Sequence, residues 1–272
     1  MWTSAVRDDC HTSSREYPSS LSDEEWASVE PHIPKKRPGG RERAWPMRTI
    51  MDGIVYVLRN GIPWRALPSD FPPWATVYAW HRTFVSTAFY ERLNHAMVVV
   101  DRERCGREPS PSAAVVDSQT VKATEAPAPR GYDGGKKTAG LKIHLLGDSD
   151  GRVLTVAVST ADLHDSVAVG PLLRASRRTW PFVEIVWADS AYRGERVANA
   201  VPAIRVVIVT GPPNQRGFIV QKRRWVVERT FGWIGRFRRL KRVWDVLVDV
   251  FVSSVYAASA FMLVRRVAGA AA

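Results

Sequence analysis

At 272 residues and 45% hydrophobic composition, the chain can bury the core of one large domain or two modest ones. Lys and Arg total 39 against 27 Asp and Glu, a net charge of +12. That surplus points to a polyanionic partner, nucleic acid first and an acidic membrane surface second, because protein cations displace counterions condensed on phosphate. Cys10 and Cys105 stand far apart with no CxxC pair, which argues against a zinc site or a disulfide framework and for a reduced, intracellular protein. Arg7, Asp8, Asp9, Arg15 and Glu16 occupy the place where a signal peptide needs an apolar run.

Residues 1–20 are polar and unpatterned and predict a flexible tail. Ser22 and Glu25 form a capping box, so a short helix through Trp26 and Val29 should follow and end near Pro31. A loop from Pro34 to Gly40 opens a basic run of Lys35, Lys36, Arg37, Arg41, Arg43 and Arg48. Pro46 suits the first turn of a second helix with Ile50, Ile54, Val57 and Leu58 on its apolar stripe, and Asn60-Gly61 should end it. After the proline-rich loop 63–73, a third helix is expected from Trp74 to Val85 and a fourth from Tyr90 to Arg102. Two of these helices joined by a compact loop resemble a helix-turn-helix.

The polar stretch Arg104–Ser112 marks a domain boundary, and beyond it the periodicity changes. Ala113–Val116, Leu141–Leu146, Val153–Val158, Val183–Ala188 and Ile204–Val209 read as strands, Val167–Arg178 as a helix, and the chain from Trp225 onward as helical to its end. Thr124–Lys137 reads as a Pro/Gly-rich loop. Strands that first meander and then alternate with helices indicate an α/β domain. Val246–Val264 carries one charge, Asp249, and could just span a bilayer, but its serines and tyrosine mark it as a core helix.

Phosphodiester chemistry on two metals requires hard oxygen ligands brought together from separate parts of a chain. Asp117 and Asp189 each close an apolar run, where α/β sheets bind ligands outside their strand ends; taken alone, each reads more readily as the cap of a following turn. Glu228 is the only acid among ten basic residues between Arg216 and Arg242. The bland alternative is a helical pair with Arg224, in the weaker orientation.

Three N-terminal segments, Leu21–Trp26, Val57–Arg65 and Phe71–Tyr78, closely resemble the first domain of transposases of the "insertion sequence five" family. Val116–Gln119, Ala188–Gly194 and Arg224–Phe231 resemble that family's three catalytic blocks. The resemblance spans about Leu21 to Arg242. It implies a helical, helix-turn-helix-like DNA-binding domain over 21–104 and a ribonuclease-H-like DDE catalytic domain over 112–265. Asp117, Asp189 and Glu228 would be the catalytic, metal-holding carboxylates. Mg²⁺ would be the cofactor, with Mn²⁺ as substitute, for strand cleavage followed by strand transfer. Gln221 stands where family members often place a Tyr.

The implied partner is double-stranded DNA, as terminal inverted repeats and as target, bound by a homodimer or higher homo-oligomer at the cytoplasmic nucleoid and away from any membrane. Expected DNA contacts are Lys35, Lys36, Arg37, Arg41 and Arg43 on backbone, Thr76, Tyr78, His81 and Arg82 on base edges, and Lys136, Lys137, Arg224, Arg236 and Arg239 near the chemistry. Two other functions stay open: a catalytically inactive, transposase-derived repressor, and a plain ribonuclease-H-like nuclease. His144 could contact phosphate or be structural. His164-Asp165 reads as a helix-start feature, and Gly134–Lys137 lacks the spacing of a P-loop. Trp233 could stack on a distorted DNA end or belong to the core.

Overall fold

The computed structural model describes residues 17–35, 43–125, 129–209 and 224–269, with no account of the Arg224 side chain. Helix α1 (Asp23–Val29) starts at the expected capping box: the Ser22 hydroxyl accepts from the Glu25 amide and the Glu25 carboxylate accepts from the Ser22 amide. Helix α2 (Met47–Asn60) ends at Gly61, whose φ of 73° is the left-handed geometry that glycine adopts without penalty. Helices α3 (Trp74–Ser86) and α4 (Phe89–Arg104) follow. Residues 17–20, expected in a flexible tail, are packed against the fold. Tyr17 stacks on Phe71 and meets Tyr56 edge-on, Ser19 and Ser20 are buried, and Arg265 donates to the Pro18 and Ser19 carbonyls.

The second half is built on a mixed sheet of β1 (Ala113–Lys122), β2 (Gly131–Asp133), β3 (Thr138–Asp148), β4 (Val153–Thr160), β5 (Ile185–Ala188) and β6 (Arg205–Ile208). Its order is β2-β3-β1-β5-β6, and β4 shares the outer edge of β3 with β2. β1 pairs antiparallel with β3 and parallel with β5, and β5 pairs parallel with β6. The crossover from β4 to β5 runs through α5 (Asp165–Thr179). A four-residue helix α6 (Glu195–Ala198) leads to β6.

Strand alternation sorts the two faces. Ser118, Lys142 and His144 point to the face where α5 begins at Asp165. Gln119 and Ile143 point to the other face, where helix α7 (Arg224–Ile234) lies. Helix α8 (Val248–Ala268) packs on that side against β4 and along α4. It is long and apolar enough to cross a membrane, but it is mostly buried, and its Tyr256 hydroxyl accepts from the Val156 amide. A core-helix role is therefore what its packing supports.

The chain from Trp225 is not one helix. α7 stops at Ile234, and Gly235, a weak helix former, turns the chain into a 3₁₀ segment at Arg238–Lys241. Phe237, Leu240 and Val243 are thereby buried, and Val243 hydrogen-bonds across to Lys122 and Thr124. One apolar cluster runs from Leu21 through the sheet to Val264, so the N-terminal helices and the sheet share a core.

Candidate active site

Asp117 and Asp189 lie at one level on adjacent strands. The β1–β5 register pairs Val115 with Trp187, and two residues further on each strand stand Asp117 and Asp189. Neighbouring strands run about 4.8 Å apart, so the register brings these two positions close together from distant parts of the sequence. Asp117 lies inside a ten-residue strand instead of closing a four-residue one, because β3 continues to pair with β1 as far as Lys122. Its carboxylate accepts from the Ser118 amide at 2.8 Å. Asp189 follows β5 directly and caps the 3₁₀ turn Ser190–Tyr192, accepting from the Ala191 amide at 2.8 Å.

That turn brings the buried Tyr192 hydroxyl within electrostatic reach of Asp165, Asp117 and Asp189. Burial, then the charges of Asp165 and Asp117, and last that of Asp189, push its hydroxyl far above the ordinary tyrosine range, with the Ser118 hydroxyl beside it. Tyr192 is 1% exposed and stays a neutral phenol. Asp165, at the start of α5, accepts from the Ser118 hydroxyl at 3.0 Å and pairs with the buried Lys142 ammonium at 3.0 Å. His144 is fully buried, meets Ser159 at 2.9 Å and has its pKa lowered to about 4, chiefly by burial. It is a neutral structural histidine, not a phosphate contact. His164 caps α5 through its ring nitrogen, as a helix-start feature should.

Glu228 is exposed on α7 and lines a cleft of about 690 Å³ with Gln119, Thr120, Lys122 and Lys241. Asp117, two residues before Gln119, shares the sheet face that this cleft follows. Arg229 is already engaged: it donates to the Asp150 carbonyl at 2.8 Å between the Trp225 and Trp233 rings. Trp233 is thus a half-buried cation–π partner. Among the described residues, no three of His, Cys, Asp and Glu gather closely enough to hold a metal ion. The donor chemistry nevertheless fits magnesium, since two aspartates at one level of the sheet and a glutamate lining the adjoining cleft are all hard oxygen ligands.

The remaining candidates divide. Lys35 and Arg43 are exposed, and Arg43 lies over Trp80; Lys36, Arg37 and Arg41 fall outside the described residues, as does the Arg224 side chain. Thr76, Tyr78 and Arg82 are half-buried on α3. His81 is a correction. It is 0% exposed, bonded to the Tyr90 hydroxyl at 2.9 Å and stacked on Trp64, so it cannot reach a groove. Arg239 is a second correction: with the helix broken at Ile234 it turns inward, donating to the Ile62 carbonyl and pairing with Asp245 at 2.9 Å. Arg236 stays exposed, and Lys136 and Lys137 project from the turn before β3. The sequence reading gave no site role to Tyr192, Lys142 or Lys122, and it set Asp165 aside as a helix-start feature. Tyr192 was the one within reach, three residues after Asp189 in the same block.

Two family profiles cover most of the chain. Residues 21–94 match the family described as "Putative transposase of IS4/5 family", and residues 108–252 match "Transposase DDE domain". A stretch of 119 residues is 29% identical to the "Putative transposase for insertion sequence element IS402" of Burkholderia cepacia, over 41% of this chain and 56% of that protein. A stretch of 112 residues is 27% identical to the "Insertion element IS402 uncharacterized 16.2 kDa protein" of the same organism, over 39% of this chain and 75% of that one. The chain therefore spans little more than half of the first relative.

Proposed function

Since the chain belongs to the DDE transposases of insertion sequences, we propose that it binds the terminal inverted repeats of its own element and cuts and rejoins DNA with Asp117, Asp189 and Glu228. The observation that carries this is the placement of Asp117 and Asp189 at matched levels of adjacent parallel strands, with Glu228 on the same sheet face. A central β1 flanked by an antiparallel β3 and a parallel β5 is consistent with a ribonuclease-H-like catalytic domain over 112–265. The helices of 21–104 would read the DNA.

Asp117, Asp189 and Glu228 would hold Mg²⁺, or Mn²⁺ in its place. The bound ion would polarise the scissile phosphate and make water or a DNA 3′-hydroxyl a better nucleophile. The protein's own part is to hold carboxylates and DNA in register. Lys142 and Ser118 would fix Asp165, Tyr192 would add a neutral phenol within reach of both aspartates, and Lys122 and Lys241 would hold phosphates flanking the cut. On this reading it would act on DNA in the cytoplasm as a homodimer or higher homo-oligomer.

The test is cleavage of DNA carrying the element's own ends, with and without Mg²⁺. Asp117→Ala, Asp189→Ala and Glu228→Gln should each cut ~10³-fold more slowly or worse while still binding DNA. Near-normal cutting by any one variant removes that residue from the site. Wild-type protein that binds those ends but cuts with neither Mg²⁺ nor Mn²⁺ would favour the repressor.

A further inference from the structure

A second cleft, away from the carboxylates, is lined chiefly by aromatic rings and guanidinium groups. It encloses about 500 Å³ where the loop after α2, the start of α3 and the segment before α8 meet, a volume in the range of small-ligand pockets. Its walls include Trp64, Trp74, Tyr78 and Trp244. Trp64 forms a fixed floor, packed on Tyr78 and on the neutral, buried His81 at ring distances of 5.3 and 4.9 Å. Trp244 is 46% exposed, an unusual surface for so large an apolar ring.

The two arginines differ. Arg239 lies over Trp64 but is neutralised by Asp245. Arg65 is exposed, lies 4.9 Å over Trp74 and meets no carboxylate at ion-pair distance among the described residues. The cleft thus offers flat π faces and one uncompensated cation at its rim.

We infer that this cleft holds a single nucleotide drawn out of the DNA stack, with its base against Trp74 and Trp244 and its phosphate at Arg65. A paired base shows a protein only its edges, so indole faces gain nothing from an intact duplex. They gain from an extruded base, whose faces are both free. Ring stacking tolerates any base, so the site would favour unpaired nucleotides without reading sequence. The cleft opens at the first turn of α3, so DNA lying along that helix would present its distorted nucleotides there. This inference rests on the DNA-binding function proposed above.

The experiment uses the full chain and two otherwise identical duplexes, one fully paired and one with a single bulged 2-aminopurine. The wild type should bind the bulged duplex about tenfold more tightly, the stacking contribution of one base, and should quench the bulged fluorophore. Trp244→Ala, at an exposed position, should bring the affinity ratio close to one and relieve the quenching. Trp74→Ala should do the same, and Trp244→Phe should keep part of the preference. Equal wild-type affinities for the two duplexes overturn the inference and leave the DNA-binding function standing. Persistence of the preference in both alanine variants also overturns it. With both duplexes built on the element's own terminal repeat, failure to bind either overturns both.

Discussion

His81 and His144 are imidazoles shut away from water. Burial first, then the nearby Arg239 and Arg82, lowers the pKa of His81 to about 3. Burial lowers that of His144 to about 4, against the opposing pull of Asp165. In the unfolded chain both rings take up a proton near pH 6.5, whereas in the native state they refuse it until far lower pH. Between those limits the unfolded state binds more protons. Stability is therefore full above about pH 6.5 and falls as pH drops through the window toward 4, by up to about 1.4 kcal/mol per pH unit for each ring. His144→Asn retains a polar group facing Ser159 and cannot take up the proton. Urea unfolding at a series of pH values should show a shallower loss for this variant between pH 6.5 and 4. Parallel curves for variant and wild type would mean that native His144 is already protonated there.

At the scale of the elements, one junction couples α2 to the segment after α7. Gly61 ends α2 at φ 73°, and a Cβ built there would stand 2.9 Å from the Arg238 Cβ and 3.0 Å from its carbonyl carbon. Gly61→Ala therefore pays the left-handed cost of about 1–2 kcal/mol and adds a clash against backbone that cannot yield easily. Its melting temperature should fall, and Gly61→Asn should fall less, because asparagine tolerates the conformation while meeting the same neighbour. A melting temperature unchanged in Gly61→Ala would show that the junction can open freely.

That Gly61 ends a helix was legible from Asn60-Gly61 alone, as the capping box was from Ser22 and Glu25, because both signals are local. The helix break at Ile234 was not. Its cause is the burial of Phe237, Leu240 and Val243 against parts of the fold distant in sequence, and the basic run around them masks that pattern. The same break turned Arg239 inward, and a helix extrapolated past Ile234 had placed it on DNA. Asp189 was legible as a strand-end carboxylate, whereas Asp117, read as one, lies inside β1 because the pairing with β3 runs on to Lys122. Their matched level was not, because a register belongs to the pairing of β1 with β5 and to neither segment by itself. His81 looked available on a polar stripe of α3; only its packing between Trp64 and Tyr90 shows otherwise.

The molecule as a whole is tied together by buried charge. Asp101 on α4 is 0% exposed and accepts from Arg152 at 2.6 Å, Arg104 at 2.7 Å and Arg266 at 3.1 Å, so one carboxylate joins α4, the β3–β4 hairpin and α8. Arg102 and Arg152 both reach the buried Asp148 at the end of β3. With α4 and α8 packed side by side and one apolar cluster running through both halves, the N-terminal helices have no separate core on which to fold. The helices and the sheet should therefore unfold as one unit. Asp101→Ala would strip a carboxylate from Arg152 and Arg266 and should cost about 3 kcal/mol, the usual order for breaking a buried pair. Hydrogen exchange read by peptide mass would locate that cost. Slowly exchanging amides in α2 and in β3 should open with the same free energy in the wild type, and both should lose the same amount in the variant. A loss confined to α2 and α4, with β1 and β3 unchanged, would mean two independent domains and an interface that merely touches.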